Sequence, residues 1–400
     1  MTPLVIRHFT ATSCIGRGLA ATLESLRAQR SGLRPCAFET VALDTHVGEV
    51  PGVDAVRLPA ALQRFDCRNN RLAQLGVEQD GFLDQVAACA GRWGPGRVGL
   101  FLGTSTSGML ETEVAYRDRD PASGALPAGF DYAGTHNSYS LAAFVREVLA
   151  LEGPSAVVSS ACSSSAKVFG AARRMIAAGV IDAAVVGGVD SLCLTTLYGF
   201  HSLQLVSPGP CRPFDVARDG ISIGEAAAFA LLERAPDSLD VGDILLLGVG
   251  ESSDAYHMSS PHPEGRGARA AMLQALTSAG LAPEHIDYIN LHGTGTPSND
   301  SAEGKAVAAV FAERGPPVPA SSTKGATGHT LGAAGALEAV ICALALRHGF
   351  LPGSANTHRV DPALAFEYLR ANSERAPARA LSNSFGFGGS NCALILGRAG

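Results

Sequence analysis

Lysine is nearly missing from this 400-residue chain: Lys167, Lys305 and Lys324 are the three, and arginine supplies the other 28 of the 31 basic side chains. The basic residues form no run or stripe and the formal net charge is −6, so a nucleic-acid surface has nothing to rest on. Charged residues reach only 17% against 46% hydrophobic, with 46 glycines, so most of the chain is expected to be buried, well packed and rich in tight turns. The nine cysteines are odd in number and no two stand as C-x-x-C, which argues against a disulfide framework or a zinc site and for a reducing cytoplasm. No apolar run is read as long enough to span a membrane, and the opening MTPLVIRHFTATSCIG lacks the cationic start and continuous apolar stretch of a secretion signal, so a soluble cytoplasmic protein is expected. There is also no G-x-x-x-x-G-K-[ST] loop and no H-E-x-x-H pair. P-loop nucleotide enzymes and zinc proteases lose support accordingly.

What is present is an alternation. Short apolar runs at 97–103, 155–161, 182–189, 226–233, 243–250, 286–293 and 391–397 are separated by helix-like segments at 163–179, 265–279, 300–313 and 330–347. This pattern predicts an α/β protein with helices against largely buried sheets. Segments 104–140 and 191–222 lack periodicity and are expected to be extended loops or a cap over a cleft. Sliding the chain by 162 positions lays SSACSSSAKVFGAA (159–172) over SSTKGATGHTLGAA (321–334). Both stretches read as strand, Ser-Ser, short loop and small-residue helix, which predicts a duplicated unit whose equivalent strand ends carry Cys162 and Lys324.

Three stretches carry chemistry. Cys162 sits where a strand ends and a helix begins, so the helix dipole and free N–H groups are expected to favour its thiolate and to receive an oxyanion. On local sequence alone the default reading is a small buried hydrophobe. NLHGTGTPSND places His292 after a strand in a loop whose glycines and hydroxyls suit a ligand, and STKGATGHTLGAAGA supplies Lys324 and His329 at the head of a second small-residue helix. Two neutral imidazoles beside one thiol can donate to a carbonyl oxygen. SNSFGFGGSN carries Phe385 and Phe387 on a glycine-rich turn.

With these motifs in this order, the chain from about residue 97 onward resembles the β-ketoacyl-[acyl-carrier-protein] synthases of the elongating type I/II group. The resemblance implies the thiolase fold, a duplicated α-β-α-β-α five-layer architecture with mixed sheets, here divided as 1–238 carrying the cysteine and cap loops and 239–400 carrying the histidines and lysine. It implies that Cys162 accepts an acyl chain as a thioester, and that His292 and His329 stabilise the enolate formed when malonyl-carrier protein loses CO2. It implies an oxyanion hole from the N–H groups of Cys162 and Phe387, with Phe387 also a gate. Thr294 and Thr296 are implied to contact phosphopantetheine, Lys324 and Glu303 to order the site as a pair, and Phe200 to line the acyl pocket. No bound cofactor or metal is implied, since acyl carrier protein delivers the substrates. The partners implied are that carrier protein and a second copy of the chain or a chain-length-factor-like paralogue. Initiating synthases differ by an Asn in place of His329. Coenzyme A thiolases need a second Cys where this chain has Phe387. A non-catalytic chain-length-factor subunit would lack Cys162. The opening LVIRHFTATSCIG and residues 30–95 depart from the family pattern, which leaves fatty-acid synthesis and a specialised aryl-polyene or polyketide pathway both open.

Overall fold

The computed structural model describes residues 2–236 and 238–400. Five strands of one sheet come first, β1 (Leu4–Ser13), β2 (Val98–Gly103), β3 (Ser155–Val158), β4 (Ala183–Asp190) and β5 (Ala226–Arg234). Five more follow, β6 (Ile244–Ser253), β7 (Tyr288–Asn290), β8 (Pro319–Ser321), β9 (Arg379–Gly386) and β10 (Ser390–Arg398). Across the sheet they run β3-β2-β4-β5-β1-β6-β10-β9-β7-β8, with the two-residue strand Glu367–Tyr368 beyond β8.

This order is symmetric about the β1–β6 junction. Outward from it, β1/β5 and β5/β4 are antiparallel and β4/β2 and β2/β3 parallel; β6/β10 and β10/β9 are antiparallel and β9/β7 and β7/β8 parallel. Even the irregularities match, since β1 shifts register against β5 between Ile6 and His8, and β6 shifts against β10 between Leu246 and Gly248. The half-sheets join through only three residue pairs, Leu4–Leu246, Val5–Leu245 and Ile6–Ile244.

Side chains of the main strands point alternately to two buried faces, which is why these strands read as unbroken apolar runs. In β4, Ala183 and Val185 meet an outer helix layer of α1 (Arg68–Val77), α2 (Phe82–Trp93) and α3 (Tyr139–Val148), while Ala184 and Val186 face the interior. In the second half-sheet, Ala393 and Ile395 of β10 meet α5 (Arg266–Ala279) and α6 (Pro297–Phe311), and Cys392 and Leu394 face the interior. Between the two half-sheets lie α4 (Ser164–Ala177) and α7 (Ala334–His348), whose buried residues share one core with both. Helix, sheet, helix, sheet, helix makes five layers.

The central layer explains its own composition. A Cβ on Gly335 of α7 would stand 2.6 Å from the Ala166 nitrogen of α4, and one on Gly188 of β4 would stand 2.5 Å from the Ser165 Cβ. Only small residues allow backbones this close. The stretch Leu331–His348 is apolar and long enough to span a bilayer by composition, contrary to the sequence expectation, but 89% of that window is buried inside the protein. It is a core helix, buried between the two half-sheets.

The helices expected at 163–179, 265–279, 300–313 and 330–347 appear with ends displaced by a few residues. The segments expected as loops contain helices, Met109–Arg117 in the first and Leu194–Ser202 in the second. Their weak amphipathic signal follows from short helices that pack one face on a small satellite core.

Replacing Gly335 by alanine should lower the stability of the protein by about 1–3 kcal/mol through overpacking against α4. Gly91→Ala, at an exposed position of α2 with nothing within 4 Å of the new Cβ, should raise it by about 0.4–1 kcal/mol. Denaturant unfolding of the two variants checks both signs.

Candidate active site

Cys162 lies in the turn from β3 to α4, two residues before the helix. Ala161 before it has a φ of 53°, a left-handed conformation costly for a side chain with a Cβ and held only by surrounding contacts. The serines of SSACSSS provide them. Ser164 Oγ donates to the Ala161 carbonyl at 2.5 Å and accepts from the Ser160 N–H at 2.9 Å, and Ser163 Oγ donates to the Ser160 carbonyl at 2.9 Å. Above the turn sits Gly386 of β9, where a Cβ would meet the Ser160 oxygen at 2.9 Å and the Cys162 nitrogen at 3.2 Å. The chain can cross the nucleophile turn here only as glycine.

The thiol is buried, and burial pushes its pKa up to about 11 although Lys324 and the Phe387 N–H pull the other way. The thiolate expected from the helix dipole is therefore not the resting form: loss of hydration outweighs the favourable field. The same burial, reinforced by Lys324, holds His292 and His329 well below the usual imidazole range. The cleft at rest holds a thiol and two neutral rings.

Hydrogen bonds fix both tautomers. His329 Nδ1 accepts from the Leu331 N–H at 3.3 Å, so its proton is on Nε2, which lies 3.1 Å from Cys162 Sγ. His292 Nδ1 faces the Lys324 ammonium at 3.4 Å, a group with donors only, so Nε2 carries the proton there also. The two rings stand edge to face with centroids 5.2 Å apart. Two N–H donors thus converge beside one sulfur.

The structure corrects the pairing expected for Lys324. Its ammonium pairs with Glu338 on α7, not with Glu303, and both side chains are buried. Burial raises the Glu338 carboxyl and Lys324 partly offsets it. Glu303 instead accepts from the main-chain N–H groups of His292 at 2.8 Å and Gly293 at 2.7 Å and from Asn383 Nδ2 at 3.0 Å, fixing the histidine loop against β9. Burial pushes its pKa up to about 7. Glu338 is a lone acid in an apolar helix, and that isolation is the signal that could have found it.

Asp190 at the end of β4 is a second residue the sequence reading passed over. Fully buried, it accepts from the Ser105 and Thr106 N–H groups at 2.7 and 2.9 Å and from the Gly332 N–H at 2.5 Å. Ser105 Oγ in turn reaches the Ala161 carbonyl at 3.4 Å. One carboxylate therefore ties the turn before Cys162 to the turn after His329.

Around these groups is a narrow cleft lined by Cys162, His292, His329, Thr294, Thr296, Phe200 and Phe387 among others. Thr294 and Thr296 share a hydrogen bond at 2.9 Å on its wall. Phe200, from the helix Leu194–Ser202, lies 5.3 Å from Phe387, ring centroid to ring centroid. Cys392 is fully buried in β10 with its side chain in the central core, away from the cleft.

Two family models cover most of the chain, the N-terminal domain of β-ketoacyl synthases over residues 3–238 and the C-terminal domain over 245–358. The chain belongs to the β-ketoacyl synthase family. It is 31% identical to 3-oxoacyl-[acyl-carrier-protein] synthase 2 of Coxiella burnetii over 99% of this chain and 98% of that protein. It is 39% identical to the mitochondrial 3-oxoacyl-[acyl-carrier-protein] synthase of Arabidopsis thaliana, over 61% of this chain and 56% of that one. Among solved structures it superposes with a TM-score of 0.87 and 38% identity, over 100% of this chain and 98% of the other, on a chain of the complex between the Xenorhabdus doucetiae ketosynthase ApeO and its chain length factor ApeC. The thiolase fold and a carbon–carbon bond-forming acyltransferase activity follow for this synthase.

In this synthase, Glu338→Ala leaves the Lys324 ammonium buried and unpaired, and should cost about 3–5 kcal/mol of stability. Adding Lys324→Met to the same chain should recover a large part of that loss in urea unfolding. A double variant no more stable than the single would show that the ion pair is not what holds α7 to the histidine loop.

Proposed function

We propose that this synthase extends an acyl chain by two carbons on Cys162, taking both substrates from acyl carrier protein, in a specialised aryl-polyene or polyketide pathway. The observation that carries the chemistry is the convergence of Cys162 Sγ with two imidazoles whose Nδ1 atoms are engaged, so that both Nε2–H groups point into one cleft.

The steps follow from those atoms. Cys162 sulfur attacks the acyl thioester carbonyl, the N–H groups of Cys162 and Phe387 receive the oxyanion, and the carrier thiol leaves with the proton from Cys162. The malonyl thioester then places its carbonyl oxygen between His292 and His329. Its carbon–carboxylate bond breaks, CO2 departs, and the electron pair enters an enolate held by the two N–H donors. The enolate carbon bonds to the acyl carbonyl, the carbon–sulfur bond breaks, and Cys162 leaves as thiolate and takes up one proton. Lys324 keeps His292 in the donor tautomer and Glu303 holds its loop. Thr294 and Thr296 contact the phosphopantetheine arm, Phe200 lines the acyl pocket, and Phe387 gates it by moving against Phe200. No metal or bound cofactor takes part.

We read the chain as two halves, 1–238 with the nucleophile and 239–400 with the histidines and lysine, in keeping with the symmetric strand order. The free side of the edge strand β3, four residues before Cys162, suits a second synthase-like chain, either another copy or a chain-length-factor-like paralogue. The likeness to a chain of the ApeO–ApeC complex favours the paralogue and the specialised pathway. A cytoplasmic location fits nine unpaired cysteines. Cys162 speaks against a non-catalytic subunit, and the placement of Cys392 in the core speaks against a coenzyme A thiolase.

Cys162→Gln should abolish condensation but keep decarboxylation of malonyl-carrier protein, and His329→Ala should lose both; condensation retained without the cysteine overturns the assignment. Because both imidazoles titrate well below their usual range, decarboxylation by Cys162→Gln should be flat from pH 8 to pH 6, with no limb near pH 6.5. Mass spectrometry after treatment with a cysteine-directed inhibitor such as cerulenin should find the label on Cys162. An unlabelled Cys162 in folded protein favours the non-catalytic subunit.

A further inference from the structure

Of the three lysines, Lys324 is paired with Glu338 and Lys305 with Glu264. Lys167 forms no ion pair among the described residues; its ammonium donates instead to Ser390 Oγ at 2.7 Å. Glu251, the acid of β6 that lies against α4 at Gly170, is taken by Arg174 at 2.8 Å. Lys167 is the fourth residue of α4, near the end where the helix dipole opposes a cation, and it is half-buried. A cation so placed, with a neutral hydroxyl as its partner, is a poor device for stability. Its partner explains it better. Ser390 opens β10 and pairs across the ladder with Gly386, the last residue of β9. Between them is the turn Phe387–Gly389, in which Gly388 and Gly389 have φ of 76° and 74°. Ser163 Oγ, beside the nucleophile, lies 3.2 Å from the same Ser390 oxygen. The base of the turn is thus held to the start of α4 by two side chains. Its tip is held on the other side by main-chain bonds, Gly388 N–H to the Met258 carbonyl at 2.8 Å and Asp254 N–H to the Gly389 carbonyl at 2.9 Å. The Phe387 N–H, at the start of the turn, donates toward Cys162.

We propose that Lys167 is a positioning residue: by holding Ser390 against α4 it keeps the Phe387 N–H aligned with the Cys162 N–H, so that the oxyanion of acyl transfer meets both donors. An oxyanion donor displaced by a fraction of an ångström loses most of its worth, and the two left-handed glycines give the turn the freedom to be displaced. The role is confined to the steps that place an oxyanion there. His292 and His329, which hold the enolate, make no contact with Lys167 or Ser390, so decarboxylation does not depend on the lysine. The inference rests on the reading of Cys162 as the acylated nucleophile.

Single-turnover acylation by acyl-carrier protein, followed by the mass of acyl-Cys162, is the test, with CO2 release from malonyl-carrier protein measured in the Cys162→Gln chain with and without Lys167→Met. Lys167→Met and Ser390→Ala should each slow acylation by about fivefold or more at saturating carrier protein, with the half-saturating concentration unchanged. The double variant should be no slower than either single one, because both remove the same hydrogen bond. Lys167→Arg, which still reaches Ser390 with a donor, should recover most of the rate, and decarboxylation should stay within about twofold in the chain carrying Lys167→Met. Undiminished acylation in folded Lys167→Met, additive losses in the double variant, or an equal loss of decarboxylation overturns the role of Lys167. Ser390→Ala leaves the lysine in place and decides the matter if Lys167→Met does not fold. A wild-type chain that forms no acyl-Cys162 overturns the reading of the nucleophile and this inference with it, whereas a wild-type chain that acylates no faster than Lys167→Met overturns the lysine's role alone.

Discussion

The close approach of α4 and α7 is the constraint on which the molecule turns. Two helices can lie between two sheets with their backbones nearly touching only if the contact face is built of Gly, Ala and Ser, and Gly335 against Ala166 is where that limit is reached. Because the helices are so close, the turns that lead into them are also close. Cys162 precedes one helix and His329 precedes the other, and the 3.1 Å between sulfur and ring nitrogen is set by helix packing before either side chain chooses a rotamer. Asp190 then clamps both turns from beneath.

Burial decides the protonation of everything in the cleft. It opposes charge on the thiol and on both imidazoles, and it outweighs the helix dipole that a sequence reading would trust. A neutral donor pair suits an enolate better than a pair of cations would, because an N–H that stays on its ring stabilises the developing charge without protonating the carbon that must react. Lys324 adds a positive charge at the back of His292, where it disfavours the imidazolium and sets the tautomer in one contact.

Most of the strands were legible because each is buried on both faces and so is written as a plain apolar run, from Val98–Gly103 to Ser390–Arg398. The region before Val98 was not. β1 alternates small polar and apolar residues across a register shift, and α1 buries Arg68, Asn69 and Asn70, so its core face does not look apolar. Arg68 is buried against Glu225, a partner 157 residues away that no local pattern announces. The same limit explains the site. Cys162, His292 and His329 stand in glycine- and serine-rich turns at strand ends, a local signal. Glu338 and Asp190 act on groups brought to them by tertiary packing. The family resemblance implies Glu303 as the partner of Lys324, but α6 aims it at backbone N–H groups, while α7 carries Glu338 to the lysine.

The symmetric sheet order has a consequence for how the protein comes apart. The central core draws residues from β1, α4, β4 and β5 on one side and from β6, α7, β9 and β10 on the other, and the half-sheets share only three residue pairs of ladder. A chain severed between β5 and β6 would yield two pieces, each with an outer helix layer intact and an inner face stripped of half its cover. Neither piece is a domain in the thermodynamic sense. The two halves are each other's solvent shield, since each covers the inner face of the other through one shared core.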